Sequence, residues 1–302
     1  MRGLDLVGGD TVAIVAPSGP PDPVRLRQGV RRLEALGLKV VTGRNVLARG
    51  GLDYLAGSDE ERAADLQAAW CDPAVAAVFC ARGGYGAGRL LGLLDWAAMR
   101  EAGPKVLLGS SDITALHHVF GLELGLPTLH GPMPACAVIT DGAEPEPRTW
   151  EHLLAALEGR PLPVPGEEML VPGRAEGVLA GGNLSLLASL CGTRYQPAFA
   201  DRLVFLEDVG EEPYRIDRML TQLLQAGAFD GARGFVLGSW VGCGDPMPVL
   251  RDRLVPLGVP ILAGLPVGHG SPQLSIWLGA LGAIDTESCS LAGQFGGWDQ
   301  AS

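Results

Sequence analysis

Short apolar runs alternate with amphipathic segments along roughly the first 135 residues. The run AVAAVFCA at 74–81 is apolar throughout, which is typical of a strand buried on both faces of a sheet. Between such runs, apolar residues recur at helical spacing, as at Leu26, Val30 and Leu33. Strands that alternate with helices indicate an open parallel α/β sheet. We predict strands at 12–17, 38–43, 74–81, 105–112 and 127–132, and helices at 22–36, 58–70, from about 89, and at 112–124.

The periodicity fades between Thr140 and Glu176, where proline-rich stretches surround one short helix candidate. We interpret this stretch as the connection between two domains, since domain boundaries fall in such sequence. Beyond it, residues 202–209 predict a strand and residues 214–227 predict an amphipathic helix. Shorter apolar runs follow that are typical of strands, at 234–240, 260–270 and 274–285.

The chain of 302 residues therefore predicts an α/β protein of two domains. Residues 1–160 are expected to form an open parallel α/β domain of the flavodoxin or Rossmann kind. Residues 161–302 are expected to form a smaller α/β domain that is richer in β-structure. Two domains imply a cleft between them, where we look for a site.

Composition and charge narrow the choice of partner. The net charge of −11 would repel a nucleic-acid backbone, so nucleic acid is not an expected partner. Apolar runs stay far shorter than the ~20 residues that a membrane-spanning helix needs, so we expect no membrane partner. The N-terminal segment MRGLDLVGGD lacks the apolar stretch of a secretory signal, and the expected compartment is the cytoplasm.

Cysteines and histidines form no metal-binding pattern. The six cysteines are scattered without a C-x-x-C pair, and none of the five histidines belongs to an H-E-x-x-H helix. We therefore expect no metal and no cofactor, and we expect most cysteines to be buried as small apolar residues.

The segment LLGSSD places serines where a predicted strand runs into a helix. A serine on such a turn projects its hydroxyl outward, as in a nucleophile elbow. Ser111 is a better candidate than Ser110, because Gly109 lies two residues before it, where a side chain would crowd the turn. The usual second glycine is replaced by Ile113, so the alternative that Ser111 and Asp112 simply cap the helix stays open.

A serine hydroxyl needs a base to act as a nucleophile at neutral pH. His269 is the best placed histidine, because it lies between two glycines in a loop after an apolar run, although a solvent-facing histidine would look the same. His130, at the end of a predicted strand, ranks second. His117 and His118 lie two turns into the helix after Ser111 and are expected to pack or to face solvent.

The candidate acid is Glu207, at the end of the apolar run LVFLED. A carboxylate at the end of a buried strand is costly unless it is paired, and an imidazole N–H would pair it. A salt bridge from Glu207 to Arg215 or Arg218 is the competing explanation. The chain order of nucleophile, acid and base would be Ser111, Glu207 and His269.

Two glycine-rich turns offer backbone donors. RGGYG at 82–86 follows a predicted strand, and its N–H groups suit either a phosphate or an oxyanion hole. A dinucleotide site would place G-x-G-x-x-G after the first strand, where APSGPP stands instead, so the oxyanion role fits better. In AGGNLSLL at 180–187, Asn183 suits either a hydrogen bond to a substrate peptide or the cap of the following helix.

Seven segments carry a wider pattern in chain order, namely VAPSGP, ARGGYGAGRLL, GSSDITALHH, HGPM, AGGNLSLLASLCGT, FLEDVGEEPYRIDRMLTQL and LPVGHG. Together they resemble the serine LD-carboxypeptidase family, which comprises the murein tetrapeptide carboxypeptidases and the related microcin-immunity peptidases. The resemblance runs from about Val12 to Trp277, nearly the whole chain.

The resemblance implies a Ser-His-Glu triad that cleaves the amide bond between an L-centre diamino acid and a terminal D-alanine. It assigns Ser111, His269 and Glu207 to that triad. It assigns the main-chain N–H groups of Gly84 and Asp112 to the oxyanion hole. It also implies a homodimer in which the active site lies between the two domains, with the nucleophile from the first domain and the other two groups from the second.

The expected function is thus hydrolysis of murein tetrapeptide in peptidoglycan recycling. Arg82 and backbone donors near Gly83 are the candidates for binding the terminal carboxylate, and the sequence does not choose between them. A microcin-immunity-type peptidase acting on aminoacyl-nucleotide toxins ranks second, because no insertion for a base-stacking aromatic is evident at 210–214 or around Trp240. A generic α/β-hydrolase esterase and a non-catalytic nucleotide- or sugar-binding protein are further alternatives.

Overall fold

The computed structural model describes residues 5–293. The predicted domains 1–160 and 161–302 extend beyond these limits at their outer ends, and the first four residues of the segment judged to lack a signal also lie outside the described residues.

The described residues form fourteen strands. In chain order they are β1 (Thr11–Val15), β2 (Lys39–Thr42), β3 (Val75–Cys80), β4 (Val106–Gly109), β5 (Thr128–His130), β6 (Val164–Pro165), β7 (Glu168–Val171), β8 (Arg174–Asn183), β9 (Arg202–Val209), β10 (Gly234–Val241), β11 (Ile261–Ala263), β12 (Ile276–Leu278), β13 (Leu281–Asp285) and β14 (Ser290–Gly293).

The same residues form nine α-helices and three short 3₁₀ turns. The helices are α1 (Pro23–Ala35), α2 (Asp59–Cys71), α3 (Trp96–Glu101), α4 (Thr114–Leu124), α5 (Ala137–Thr140), α6 (Pro147–Leu157), α7 (Leu184–Ser189), α8 (Pro213–Gln225) and α9 (Met247–Leu254). The 3₁₀ turns span Ala87–Leu90, Ser111–Ile113 and Val255–Leu257.

Local sequence accounts for where several helices begin. The Asp22 side chain accepts hydrogen bonds from two backbone N–H groups of α1, and Ser58 and Glu61 form a reciprocal capping box at α2. The helix predicted near Arg89 is a 3₁₀ turn instead. The α-helix that follows begins later, at α3, because Asp95 caps it there by accepting from Ala98 N.

The first sheet has six strands in the order β12-β5-β4-β3-β1-β2. Strands β1 to β5 pair in parallel, so the predicted open parallel α/β sheet is confirmed. Strand β12 pairs antiparallel with β5, although the sequence places the whole run 274–285 in the second domain. Strand β12 therefore belongs to the first sheet and β13 to the second, so the chain returns to the first sheet before it completes the second.

The second sheet has eight strands in the order β6-β14-β13-β8-β9-β10-β11-β7. Its central strands β8 to β11 are parallel, and antiparallel strands flank them. The protein is therefore a mixed α/β molecule built on two sheets. The proposed boundary at 160/161 falls between α6 and β6 and stays a prediction.

The ends of parallel strands position the functional residues. Strands β3 and β4 are neighbours, so the segments that follow them, RGGYG and GSSD, emerge side by side. In the second sheet, Glu207 on β9 lies opposite Asn183 at the end of β8.

The expectation that most cysteines are buried is wrong, since only Cys80 and Cys243 are buried and the other four are half-buried.

Candidate active site

Ser111 lies on a strained turn between β4 and α4. Its φ of 61° is left-handed, a conformation that non-glycine residues rarely adopt and that is found at functional turns. A Cβ on Gly109 would lie 2.6 Å from Ile113 Cγ2, so the predicted crowding at that position is present. Ile113 itself is fully buried over Gly109, which accounts for an isoleucine where an elbow usually has its second glycine.

The alternative that Ser111 and Asp112 cap the helix is wrong. Neither the 3₁₀ turn at Ser111 nor α4 has a side-chain hydrogen bond at its N-terminus. The Asp112 carboxylate instead accepts hydrogen bonds from Ser18 Oγ and Ala87 N, and it is 1% exposed. Asp112 therefore ties the loop after β1 and the 87–90 turn to the elbow, a role that its sequence position does not reveal.

The glycines of RGGYG pack directly against the candidate nucleophile. A Cβ on Gly83 would lie 2.8 Å from Ser111 Cβ and 3.0 Å from Ser111 Oγ. Gly84 has a φ of +116°, and a Cβ there would lie 3.2 Å from Gly19 Cα. Only glycine fits both positions without displacing a neighbour, so the backbone of this loop is brought close to the serine.

His269 and Glu207 form the closest functional contact of the site. The imidazole Nδ1 lies 2.6 Å from Glu207 Oε2, and Glu207 is fully buried. The loop that carries the histidine is held by Ser239, whose Oγ accepts hydrogen bonds from the backbone N–H groups of His269 and Gly270. No sequence motif marks Ser239, because it lies inside the mostly apolar strand β10.

The competing explanation for Glu207 is wrong. Arg215 pairs with Glu211, and the Arg218 guanidinium lies 5.8 Å from the centre of the Tyr214 ring. The ion-pair partner of Glu207 in the described part of the chain is His269.

Two opposing effects set the pKa of His269. Burial lowers the pKa of the imidazole because it disfavours the charged ring, but the hydrogen bond and charge of Glu207, with the charge of Asp208, outweigh burial. The pKa of His269 therefore lies above its ordinary value of 6.5. Because the carboxylate accepts the hydrogen bond that Nδ1–H donates, the ring nitrogen that can accept a proton is Nε2.

Both Ser111 and His269 line one cleft of about 750 Å³. The walls come from both halves of the chain and include Asp22, Arg25, Arg82, Gly83, Gly84, Ser110, Ser111, Met133, Cys136, Val209, Gly268, His269 and Gln273. In residues 5–293, no hydrogen bond joins the Ser111 hydroxyl to His269. Hydrogen bonds between catalytic groups often form only when substrate is bound.

The other histidines do not face this cleft. His130 is fully buried, and burial, together with the charges of His117 and His269, holds its pKa well below 6.5. His117 is bound by Thr128 Oγ1 and Gly109 O, and burial lowers its pKa to about 4. His130 is thus removed as the second candidate base, and His117 packs in the core as expected.

Asn183 caps helix α7, which is the second of its two predicted roles. Its side chain accepts from Leu186 N at the start of α7 and donates to Asp208 Oδ1 at 2.8 Å, and it is 2% exposed. Burial raises the pKa of Asp208 to about 6, and the Asn183 amide is among the groups that hold its charged form. Asn183 does not line the cleft, so its predicted role in substrate binding is corrected to helix capping.

Among residues 5–293, no group of three or more histidine, cysteine or acidic side chains is arranged to hold a metal ion. Over the same residues, no helix combines the length and the apolar character needed to cross a bilayer.

Comparison with known proteins finds two matching family models. The LD-carboxypeptidase N-terminal domain matches residues 12–131, and the LD-carboxypeptidase C-terminal domain matches residues 176–284. The chain is 40% identical over 293 residues to a Bacillus subtilis protein named probable murein peptide carboxypeptidase, covering 92% of this chain and 89% of that one. It is 36% identical over 277 residues to the murein tetrapeptide carboxypeptidase of Pseudomonas aeruginosa, covering 86% and 88%.

A solved structure shares the whole fold. The microcin C7 self-immunity protein MccF, in complex with aspartyl sulfamoyl adenosine, superposes with a TM-score of 0.86 over 98% of this chain and 99% of that one. Its sequence identity to this chain is 24%, so the likeness is one of fold.

Proposed function

Since the chain belongs to the LD-carboxypeptidase family and is a hydrolase of the carboxypeptidase type, we propose that it releases the terminal D-alanine of a murein tetrapeptide with a Ser111-His269-Glu207 triad. The observation that carries this proposal is the 2.6 Å contact between His269 and the buried Glu207, on a cleft that also exposes Ser111 at a left-handed elbow.

The proposed reaction begins with the Ser111 hydroxyl. His269 takes its proton as Ser111 Oγ attacks the carbonyl carbon before the terminal residue. The N–H groups of Gly84 and Asp112 stabilise the oxyanion. The C–N bond then breaks, and the imidazolium returns the proton to the leaving amine. Water hydrolyses the acyl-enzyme by the same route, and Ser111 is regenerated.

The glutamate has a positioning and electrostatic role in this scheme. Its Oε2 accepts from His269 Nδ1, so the ring is held in the tautomer whose Nε2 is free to act as a base. The raised pKa of His269 strengthens that base, and the buried carboxylate stabilises the imidazolium that forms.

A microcin-immunity-type peptidase is the second candidate, and the fold shared with MccF favours it. Such an enzyme would use the same serine to cleave an aminoacyl-nucleotide amide. Cytoplasmic location, a homodimer and a part in peptidoglycan recycling complete the proposal.

The test is mass spectrometry of a murein tetrapeptide incubated with the protein. We expect loss of one alanine, and we expect Ser111→Ala to lower turnover on the order of 10⁴-fold while the thermal midpoint stays near that of the wild type. The neighbouring Ser110→Ala is the matched control and should lose less than about tenfold. Retained activity in Ser111→Ala would refute the triad, and cleavage of aminoacyl-nucleotide amides alone would favour the second candidate.

A further inference from the structure

A carboxypeptidase that removes one residue must recognise a free terminal carboxylate close to the scissile bond. The carboxylate carbon of the leaving residue is three bonds from the scissile carbonyl carbon, a path of at most about 4.3 Å. The group that binds the carboxylate must therefore lie beside the nucleophile and the oxyanion donors, on the leaving-group side.

The Arg82 guanidinium lies close to the loop that carries the proposed oxyanion donor Gly84, in the cleft that Ser111 lines. Its Nη2 lies 3.8 Å from the position of a Cβ on Gly84, and the Cβ position of the adjacent Gly83 lies 3.0 Å from Ser111 Oγ. Arg82 lines the same cleft as Ser111 and His269. Its side chain is thus next to the backbone that would stabilise the oxyanion.

The charge of Arg82 is available for a ligand. Among the described residues Arg82 forms no ion pair, and its hydrogen bond is a long one, 3.4 Å from Nη1 to Pro20 O. The residue is exposed, so little is lost when the guanidinium turns toward an anion. A planar guanidinium also matches a carboxylate with two parallel hydrogen bonds.

The other arginine of the cleft is already engaged. Arg25 Nη2 lies 3.1 Å from Asp141 Oδ2, and the Asp22 carboxylate accepts a hydrogen bond from the Arg25 backbone N–H at the start of α1. Neutral backbone donors near Gly83 carry no full charge, and the proposed mechanism assigns Gly84 N–H to the oxyanion. Of the two arginines that line the cleft in the described part of the chain, Arg82 is therefore the one without an ion pair.

We propose that Arg82 binds the terminal carboxylate of the substrate and thereby makes the protein an exopeptidase for a single residue. This inference rests on the proposed function and deepens it, because it names the group that selects a free C-terminus. Arg82 touches the leaving residue and leaves the proton transfer to the triad.

The test compares the murein tetrapeptide with the same peptide carrying a C-terminal carboxamide. For Arg82→Gln we expect kcat/KM on the free acid to fall on the order of 10- to 100-fold and kcat/KM on the carboxamide to change less than about threefold. Arg82→Lys should recover part of the loss, since lysine keeps the positive charge but cannot donate two parallel hydrogen bonds as a guanidinium does. Arg25→Gln is the matched control, because it is the same substitution at the other arginine of the cleft. It should leave the ratio of kcat/KM on the free acid to kcat/KM on the carboxamide within about threefold of the wild type.

The outcomes separate the two proposals. The carboxylate role of Arg82 is overturned if Arg82→Gln lowers kcat/KM equally on both peptides. It is also overturned if Arg25→Gln, rather than Arg82→Gln, abolishes the preference for the free acid. Either result leaves the proposed function standing. Wild-type protein that releases neither alanine from the free acid nor alaninamide from the carboxamide overturns both. Thermal midpoints of all variants are measured alongside, so that a loss through unfolding is recognised as such.

Discussion

At the scale of single residues, the hydrogen bond and charge of Glu207 explain why the pKa of the half-buried His269 is raised. A fully buried carboxylate is costly in isolation, and its Oε2 is compensated by the His269 Nδ1–H at 2.6 Å. The same contact raises the pKa of His269 against the effect of burial. Two other single-residue features shape the site. The Ser111 backbone is left-handed, and the absence of a side chain at Gly83 leaves room for the Ser111 hydroxyl.

The raised pKa predicts a particular pH dependence. The base must be neutral, so kcat/KM should fall as the pH falls through a pKa above 6.5. In Glu207→Gln the negative charge that opposes the effect of burial on His269 is lost, so the pKa of His269 falls and the acid limb of the kcat/KM profile should move to lower pH. The plateau of kcat/KM should drop on the order of 10²- to 10⁴-fold. Rates on the tetrapeptide between about pH 5 and 9 measure both effects.

The control for this profile is Glu211→Gln. Glu211 is four residues further along and pairs with Arg215, so its loss should leave the acid limb in place. An unchanged limb in Glu207→Gln would mean that a different group sets the pH dependence.

At the scale of elements, the end of β8 packs against the first turn of α4. Asn183 N donates to Thr114 Oγ1 at 2.9 Å, and a Cβ on Gly182 would lie 2.5 Å from the same hydroxyl. Because Asn183 lies opposite Glu207 in the β8–β9 ladder, this contact relates the strand of the candidate acid to the helix that follows Ser111. One buried hydrogen bond therefore aligns elements from the two halves of the site.

Thr114→Val tests that alignment. The substitution keeps the shape and leaves the buried Asn183 N–H unpaired, so we expect a loss of about 1–3 kcal/mol in the free energy of unfolding. We also expect kcat to fall about 10- to 100-fold, since a shift of the acid's strand misplaces the base. Denaturant titration and single-substrate kinetics measure the two effects.

The matched control is Thr221→Val in α8, whose hydroxyl donates to Asp217 within the same helix. It should leave kcat unchanged. A Thr114→Val protein that is destabilised but fully active would show that the contact serves stability alone.

At the scale of the whole molecule, the chain passes between the two sheets at the candidate base. His269 lies between β11, which belongs to the second sheet, and β12, which belongs to the first. Gln273, on the same crossing segment, donates its backbone N–H to the fully buried Thr149 of α6. The position of the histidine is thus set by both halves at once.

This crossing predicts that the two halves unfold together. Loss of the second half would strip β12 from β5 and leave an open sheet edge, so neither half is complete alone. We expect one transition in calorimetry of the full chain, with the calorimetric and van't Hoff enthalpies in agreement. Two resolved transitions would contradict this view of the molecule.

The sequence by itself determined the features that depend on near neighbours. The parallel α/β pattern, the caps of α1 and α2, the elbow at Ser111 and the crowding at Gly109 can all be predicted, because periodicity, capping and steric crowding act over a few residues. Ser111, Glu207 and His269 are candidates from the sequence alone, and the family resemblance adds their assignment to one triad.

Only the tertiary structure decided which distant groups meet. It paired Glu207 with His269 rather than with Arg215, and it assigned Asn183 to a helix cap. It also placed β12 in the first sheet. These outcomes depend on strand order and on burial among residues far apart in the chain, and such long-range pairings leave no periodic trace in the local sequence.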